Sequence, residues 1–389
     1  MNKSIAILTG LVFTLSINVW TFYPGVTSAR LAIICIIIVS FIKLFNNMYK
    51  IPRKVIVLPL LGILAATFTM FGLLINDGTI WYIFSWVFLG LLGGLIHYVL
   101  HDFNQYEKEL LLKTILYTFL IIIIYVVYIM YNNNVLFSEG HITRRWLDNY
   151  VPSGLNRFLN GITLSSLIIL GALIMNITKS KAFNIFSFVA LFVFLLIAIT
   201  SGSRQSILVF SIYTLFLFFY IYIKNITNSQ KPSFLILSSL LIVGYSVYSL
   251  TEDWFMQRFI NPVIHRTTTS SDETRLDILE AGYDIIINNP FGIGAGNAYS
   301  MLGKYPHNGY LGFIMENGVV GFIFLLIIFI YTIRKYLTIK EGNSLSMLFM
   351  QIYIVLAIIM TLMNDLFREP IYWTTLGFLY GIIDSGKNR

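Results

Sequence analysis

Cysteine and charge are what this sequence has least of. Cys35 is the single cysteine among 389 residues; it lies inside an apolar run and can form no internal disulfide. Charged residues make up 11% and hydrophobic residues 57%, where an average soluble domain has roughly 25% charged. So little charge excludes a soluble globular domain and leaves an integral membrane protein. Period-two alternation is also missing. Because unpaired backbone is costly in lipid, the choice is between helices and a closed barrel, and unbroken apolar runs exclude the barrel. No nucleotide site is formed either: Gly292, Gly294 and Gly296 follow no strand pattern and so match no dinucleotide fingerprint. His97 and His101 are one helical turn apart without other ligand-type residues, so interfacial solvation is expected there and a metal site is not.

What is there is length in apolar runs. Windows of transmembrane length, about 17 to 25 residues, fall near Ile5 to Tyr23, Ala29 to Phe45, Val55 to Ile75, Ile80 to Leu100, Leu111 to Tyr131 and Asn160 to Ile177. Six more follow at Ala182 to Ile199, Gln205 to Ile223, Phe234 to Leu250, Gly309 to Ile333, Ser344 to Leu366 and Pro370 to Ile383. The expected fold is therefore all-α, a polytopic membrane protein of about 12 transmembrane helices. The first run follows Met1-Asn2-Lys3 as a signal peptide would, but Thr27-Ser28-Ala29 is a poor cleavage site and the chain stays as hydrophobic afterwards. A retained first helix is expected.

A cytoplasmic amino terminus places sixteen basic residues inside and ten outside, as the positive-inside rule requires. Thirteen of the sixteen are lysine, whereas nine of the ten outside are arginine: Arg30, Arg144, Arg145, Arg157, Arg204, Arg258, Arg266, Arg275 and Arg368. Lysine suffices to anchor a loop by charge. Arginine is chosen where a planar fork must grip a phosphate or carboxylate with two parallel hydrogen bonds. Codon bias, with the outer arginines merely pairing with Asp148, Asp253, Glu273 or Glu369, is the plainer explanation; bias alone would not spare one face, so an anionic ligand on the outer side is favoured.

One polar interval organises the rest. Thr251 to Asn308 separates two apolar runs by far more than the two to eight residues usual between packed helices. It carries Arg258, Arg266, Arg275, the glycine cluster, and then Pro306-His307-Asn308, with Glu316-Asn317-Gly318 just beyond. Within it, Ser270 and Glu273 have capping-box spacing and Leu276, Leu279, Tyr283 and Ile286 recur at helical intervals until Asn289-Pro290. An amphipathic outer helix is expected there. Arg275 near its start opposes the macrodipole, which fits either an external anion or pairing with Asp272 or Glu273.

The glycine run offers close backbone approach. A histidine titrates near neutral pH, so one at position 307 can take a proton from a hydroxyl. Glu316, nine residues later, falls about half a turn around an unbroken helix and cannot orient His307 unless the chain breaks. A break at Asn317-Gly318 would make Asn308 to Glu316 a short interfacial helix and start the span near Val319; otherwise Glu316 is a membrane-embedded acid.

Two shorter outer segments add basic groups. Asn132 to Leu159 holds Arg145 and Arg157 and reads equally as a membrane-surface loop or as a second wall of an outer pocket. Thr200-Ser201-Gly202-Ser203-Arg204 is only a turn, with serines able to cap the next helix and Arg204 at its amino terminus, where an anion is the natural complement.

Taken together, Thr200 to Arg204, Thr274-Arg275, Asn289-Pro290-Phe291-Gly292-Ile293-Gly294 and His307-Asn308 through Leu311 to Glu316-Asn317-Gly318 resemble the O-antigen polymerase and ligase superfamily. The resemblance covers about a third of the chain. It implies a GT-C-like helical fold with one large extracytoplasmic loop at 251–308, and a metal-independent inverting glycosyltransferase without a cofactor. By that resemblance Arg204 and Arg275 hold a pyrophosphate leaving group and His307 activates the acceptor hydroxyl. Arg145, Arg157, Arg258, Arg266, Asn308 and Glu316 stand as further substrate contacts. The implied partners are undecaprenyl-pyrophosphate-linked oligosaccharide and membrane lipid, with a chain-length regulator and a flippase, and no nucleic acid. A repeat-unit polymerase of the O-antigen or capsule type, in the bacterial cytoplasmic membrane, is the expected function. A ligase delivering glycan to lipid A core is the alternative within the class. A lipid-linked oligosaccharide flippase is the alternative outside it, and the repeated halves that many transporters show are not seen.

Overall fold

The computed structural model describes residues 2–15, 21–23, 26–46, 51–75, 81–136, 146–147, 155–175, 177–178, 180–201, 203–223, 270–303, 306, 308–337, 344–360 and 370–385. Eleven of the twelve apolar windows carry a helix over most of their length; the window at 234–250 lies outside the described residues. We number the helices α1 (Asn2–Leu15), α2 (Ser28–Asn46), α3 (Val57–Ile75), α4 (Trp81–Leu100), α5 (Gln105–Asn132), α6 (Leu155–Ile174), α7 (Lys181–Thr200) and α8 (Arg204–Ile223). Then come α9 (Ser270–Asn288), α10 (Asn297–Leu302), α11 (Gly309–Leu337), α12 (Ser344–Met360) and α13 (Pro370–Ser385).

The first window departs from expectation. Its described helix is Asn2–Leu15, and at its far end Thr21–Tyr23 pairs antiparallel with Val26–Thr27. Pro24-Gly25, a turn-forming dipeptide, stands between the paired strands.

Among the described residues three helices carry windows long and apolar enough to cross a membrane, at Gln105–Asn132, Lys181–Thr200 and Gly309–Lys335, and shorter apolar helices accompany them. Their outward faces are oily: Ile121, Ile185 and Phe329 are exposed. Such surface is stable when lipid covers it. The chain is a multi-pass membrane protein.

Contacts divide the chain into two units. The first, Met1–Cys35 with Asn104–Thr267, packs α1 on α5, α5 on α7, and α6 on both α7 and α8. Gly10 lets α1 approach α5, since a Cβ there would stand 2.8 Å from the Thr114 Cβ. Helix α5 opens on a full capping box: Asn104 Oδ1 accepts from the Glu107 N–H at 3.0 Å, and Glu107 Oε2 accepts from the Asn104 N–H at 2.8 Å.

The second unit, Ile36–Phe103 with Thr268–Arg389, is built on a seam of small residues, the device by which helices pack where lipid removes the hydrophobic drive. A Cβ on Gly62 of α3 would lie 2.7 Å from the Cα of Gly90 on α4, and one on Gly377 of α13 would lie 2.5 Å from the Gly93 carbonyl oxygen. Beside this seam Trp86 meets Phe313 and Trp373 edge-on, at 5.5 and 6.3 Å between ring centres.

His97 overturns the expectation of interfacial solvation. It is fully buried, and its Nε2 lies 2.9 Å from Asp384 Oδ2, which also accepts from Lys335 Nζ at 2.7 Å. The partner acid is 287 residues away in sequence, so no local pattern could reveal it. Breaking a buried ion pair typically costs about 3–5 kcal/mol; the cluster therefore ties α4, α11 and α13 together. Nearby, Lys43 donates to the carbonyls of Tyr98 and Val99 and pairs with Asp102 at 3.0 Å. The hydrogen bond from His101, followed by Lys43, holds the Asp102 carboxyl well below the usual carboxylate range.

Candidate functional site

The polar interval condenses around a joint between two main-chain segments of the second unit. Helix α9 ends at Asn288, immediately before Asn289-Pro290, where the missing proline N–H and the restricted residue before it stop a helix. The chain turns as the Gly292 N–H donates to the Asn289 carbonyl at 2.8 Å, and Gly292, Gly294 and Gly296 all take positive φ near 87°.

Facing this turn, α11 is interrupted at Gly318, whose φ of 63° and ψ of −157° are not helical. In an unbroken helix the Val319 N–H would bond to the Met315 carbonyl. Here the Val319 N–H donates instead to the Pro290 carbonyl at 2.8 Å, and the Met315 carbonyl accepts from the Ile293 N–H at 2.9 Å. The Glu316 carbonyl accepts from the Gly294 N–H at 3.2 Å. The Val319 N–H and the carbonyls of Met315 and Glu316 thus find their partners in the facing turn, as buried backbone must.

Only glycine fits at the two points of closest approach. A Cβ on Gly292 would collide with the Glu316 carbonyl, and one on Gly318 would fall 2.6 Å from the Gly292 nitrogen. Apolar packing closes the joint: Ile293, Ala298 and Met315 are buried together, with Ile285, Ile286, Leu302 and Leu311 against them. Asn317, also buried, donates to the Phe313 carbonyl at 2.9 Å and accepts from Thr69 Oγ1 of α3 at 3.0 Å.

The break expected at Asn317-Gly318 is present at Gly318, and it sets off a short helical piece at the start of α11 from the rest of that helix. Its start is capped by Asn308, whose Oδ1 accepts from the N–H groups of Tyr310 and Leu311, each at 3.1 Å. The carboxamide NH₂ of Asn308 takes no part in that cap. Glu316 is buried, 6% exposed, and its carboxylate turns toward α10, with Oε1 3.5 Å from the Ala298 N–H, the long limit of a hydrogen bond.

Arg275 is the sixth residue of α9, whose other end leads into the joint with the break in α11. Arg204 is the first residue of α8 in the other unit, and Ser203 caps that helix, its Oγ accepting from the Ser206 N–H at 3.3 Å. Arg157 is the third residue of α6. His307, Arg145, Arg258 and Arg266 lie outside the described residues. Among the described residues no group of three or more metal-ligating side chains occurs.

The stripe expected on α9 needs correction. Leu279 and Tyr283 are exposed, at 41% and 63%, while Ile278 is buried. The reason is Gly282, which admits the Leu311 side chain so closely that a Cβ would stand 2.8 Å from it. The packing face turns onto Ile278, Gly282 and Ile285, while Ile286 of the expected stripe does pack against the core. Apolar periodicity alone could not find it, because glycine counts for nothing in such a pattern. The mutual backbone exchange at Gly292 and Gly318 was likewise beyond sequence reasoning, although both glycines carried the signal.

This fold and joint define a multi-pass membrane protein whose one long polar interval is built back onto a broken helix. Residues 188–326, about a third of the chain, match the family model of O-antigen ligase. That stretch includes Arg204, Arg275, His307 and the joint. The match supports a function of the polysaccharide ligase or polymerase type, that is, glycosyl transfer. Among curated proteins none matches the chain.

Proposed function

We propose that this protein is a polysaccharide repeat-unit polymerase, transferring glycan from an undecaprenyl-pyrophosphate donor to a lipid-linked acceptor hydroxyl on the outer face of the cytoplasmic membrane. The observation that carries the reading is the backbone joint inside the family-matched stretch. It ties the end of the helix that carries Arg275 to the break in α11, while Leu311, four residues after His307 in the chain, packs at Gly282 of α9. A transfer site needs such fixed geometry, because most of its rate comes from orientation and preorganised charge.

In the proposed step His307 takes the proton of the acceptor hydroxyl as its oxygen attacks the anomeric carbon. The bond from that carbon to the pyrophosphate oxygen breaks, and its electron pair leaves with the pyrophosphate. Arg204 and Arg275 neutralise the charge that develops there, so the configuration inverts without a metal. Twelve spans, with 251–308 as an outer loop, put these residues on the donor's side. Arg145, Arg157, Arg258 and Arg266 serve the anionic substrate as further contacts, and the carboxamide NH₂ of Asn308 donates to a sugar hydroxyl. A ligase delivering finished glycan to lipid A core is the second reading, favoured by the description of the matched family.

Lysine at Arg204 or Arg275 tests the reading. Each variant keeps the charge but loses the two-pronged grip, so polymer formation should fall more than tenfold while membrane levels stay near normal. Undiminished polymer from both variants, assayed in cells by gel ladder, would return these arginines to ordinary loop electrostatics.

A further inference from the structure

The joint leaves an open cavity of about 410 Å³ between α9 and α10, within the range of about 300–1,000 Å³ usual for ligand sites. Ile278, Ile285 and Leu302, buried or half-buried, form its floor; Asp277, Asp284 and Met301 are exposed at its rim. Asp277 and Asp284 are seven residues apart, which sets them on one face of α9 about 10.5 Å apart along its axis. Two carboxylates on a helix are ordinarily a solvated face. These two line a concavity with an apolar base, and that concavity begins two residues beyond Arg275.

We propose that this groove is a saccharide subsite, holding the glycan of the lipid-linked substrate as it leads away from the pyrophosphate; the proposal rests on the transferase reading above. A sugar ring presents hydroxyl groups at its edge and C–H groups on its faces. The rim carboxylates accept charge-assisted hydrogen bonds from the hydroxyls, while the C–H faces rest on the isoleucines, Met301 and Leu302. The separation of the carboxylates lets them engage more than one ring. Their charge also selects: neutral or amino sugars fit between them, and a uronic acid or phosphorylated sugar is repelled. The groove thus defines the substrate class as a glycan without negative charge on the rings nearest the pyrophosphate.

The test uses the purified full chain with native lipid-linked repeat units in proteoliposomes. The D277N/D284N double variant should raise KM for the repeat unit about tenfold, with kcat within about twofold, because uniform binding is what is lost. Ala281 also lines the groove, so A281F, which fills it without touching charge, should do the same. Glu280 is exposed on α9 away from the lining, and E280Q should match the parent. Binding is read separately, by titrating the detergent-solubilised chain with repeat-unit oligosaccharide released from its lipid by mild acid. Saturable binding, lost in both groove variants and not displaced by oligogalacturonate, supports the subsite. Unchanged KM and unchanged binding in either groove variant, or effective competition by oligogalacturonate, overturns it. If the parent chain shows no turnover, the transferase reading fails, and the titration still decides the groove.

Discussion

Glutamine at His307 is expected to slow glycan transfer by about 10²- to 10⁴-fold, the usual contribution of a positioned base, while leaving affinity for the lipid-linked donor within about twofold. The attacking hydroxyl must shed its proton, and glutamine keeps hydrogen bonding without being able to accept one. The pyrophosphate needs no proton from the protein once arginine neutralises it. The two roles therefore separate: Arg275→Ala should weaken both binding and turnover, whereas His307→Gln should spare binding. The neighbouring cap sharpens the comparison. Asn308 Oδ1 already accepts from the N–H groups of Tyr310 and Leu311, so His307 is not required to cap α11. Single-turnover transfer and donor binding, measured on the same purified variant, check the split; substantial turnover in the glutamine variant would reduce His307 to a positioning residue.

The second large effect is expected at Gly318. Alanine there would hold φ 63° and ψ −157°, a region essentially closed to side chains and costing on the order of 1–3 kcal/mol by itself. Its Cβ would also land on backbone, 2.5 Å from the Phe291 carbonyl carbon and 2.6 Å from the Gly292 nitrogen. No rotamer change relieves that collision, so the joint must open and release the carbonyls of Met315 and Glu316 that it satisfies. Gly318→Ala should lower the thermal midpoint in detergent by several degrees and abolish transfer. Gly303 is the control: it also has positive φ, 66°, but nothing lies within 4 Å of its would-be Cβ. Gly303→Ala should lose only the modest conformational penalty. Equal midpoints for the two variants would contradict the account of the joint.

Much of this architecture was legible because lipid simplifies the code. Apolar runs of spanning length can only be helices, and the ends of α9 and the break in α11 were written in Asn289-Pro290 and Asn317-Gly318. The misses have a common physical origin in contacts across long sequence separation. His97 reads as an interfacial residue until Asp384 is brought to it by α13. Leu279 and Tyr283 read as a packing stripe until Gly282 shows where Leu311 enters. The pair Asp277 and Asp284 looks like an ordinary polar face, since a groove requires α10, and α10 is placed only by the turn at Gly292. The side-chain roles proposed for Arg204, Arg275 and His307 come from the sequence, whereas the main-chain joint between the glycine turn and the break in α11 was not legible in it.

The most direct test of the central claim is polymerisation by this chain alone. Purified protein is reconstituted in proteoliposomes with isotopically labelled lipid-linked repeat units, without any second protein and in the presence of EDTA, and product length is followed on gels. The account predicts lipid-linked chains longer than one repeat, released undecaprenyl pyrophosphate in matching amount, and no dependence on divalent metal. Repeat units that remain unextended in the presence of active donor, or that merely cross the bilayer intact, would contradict it.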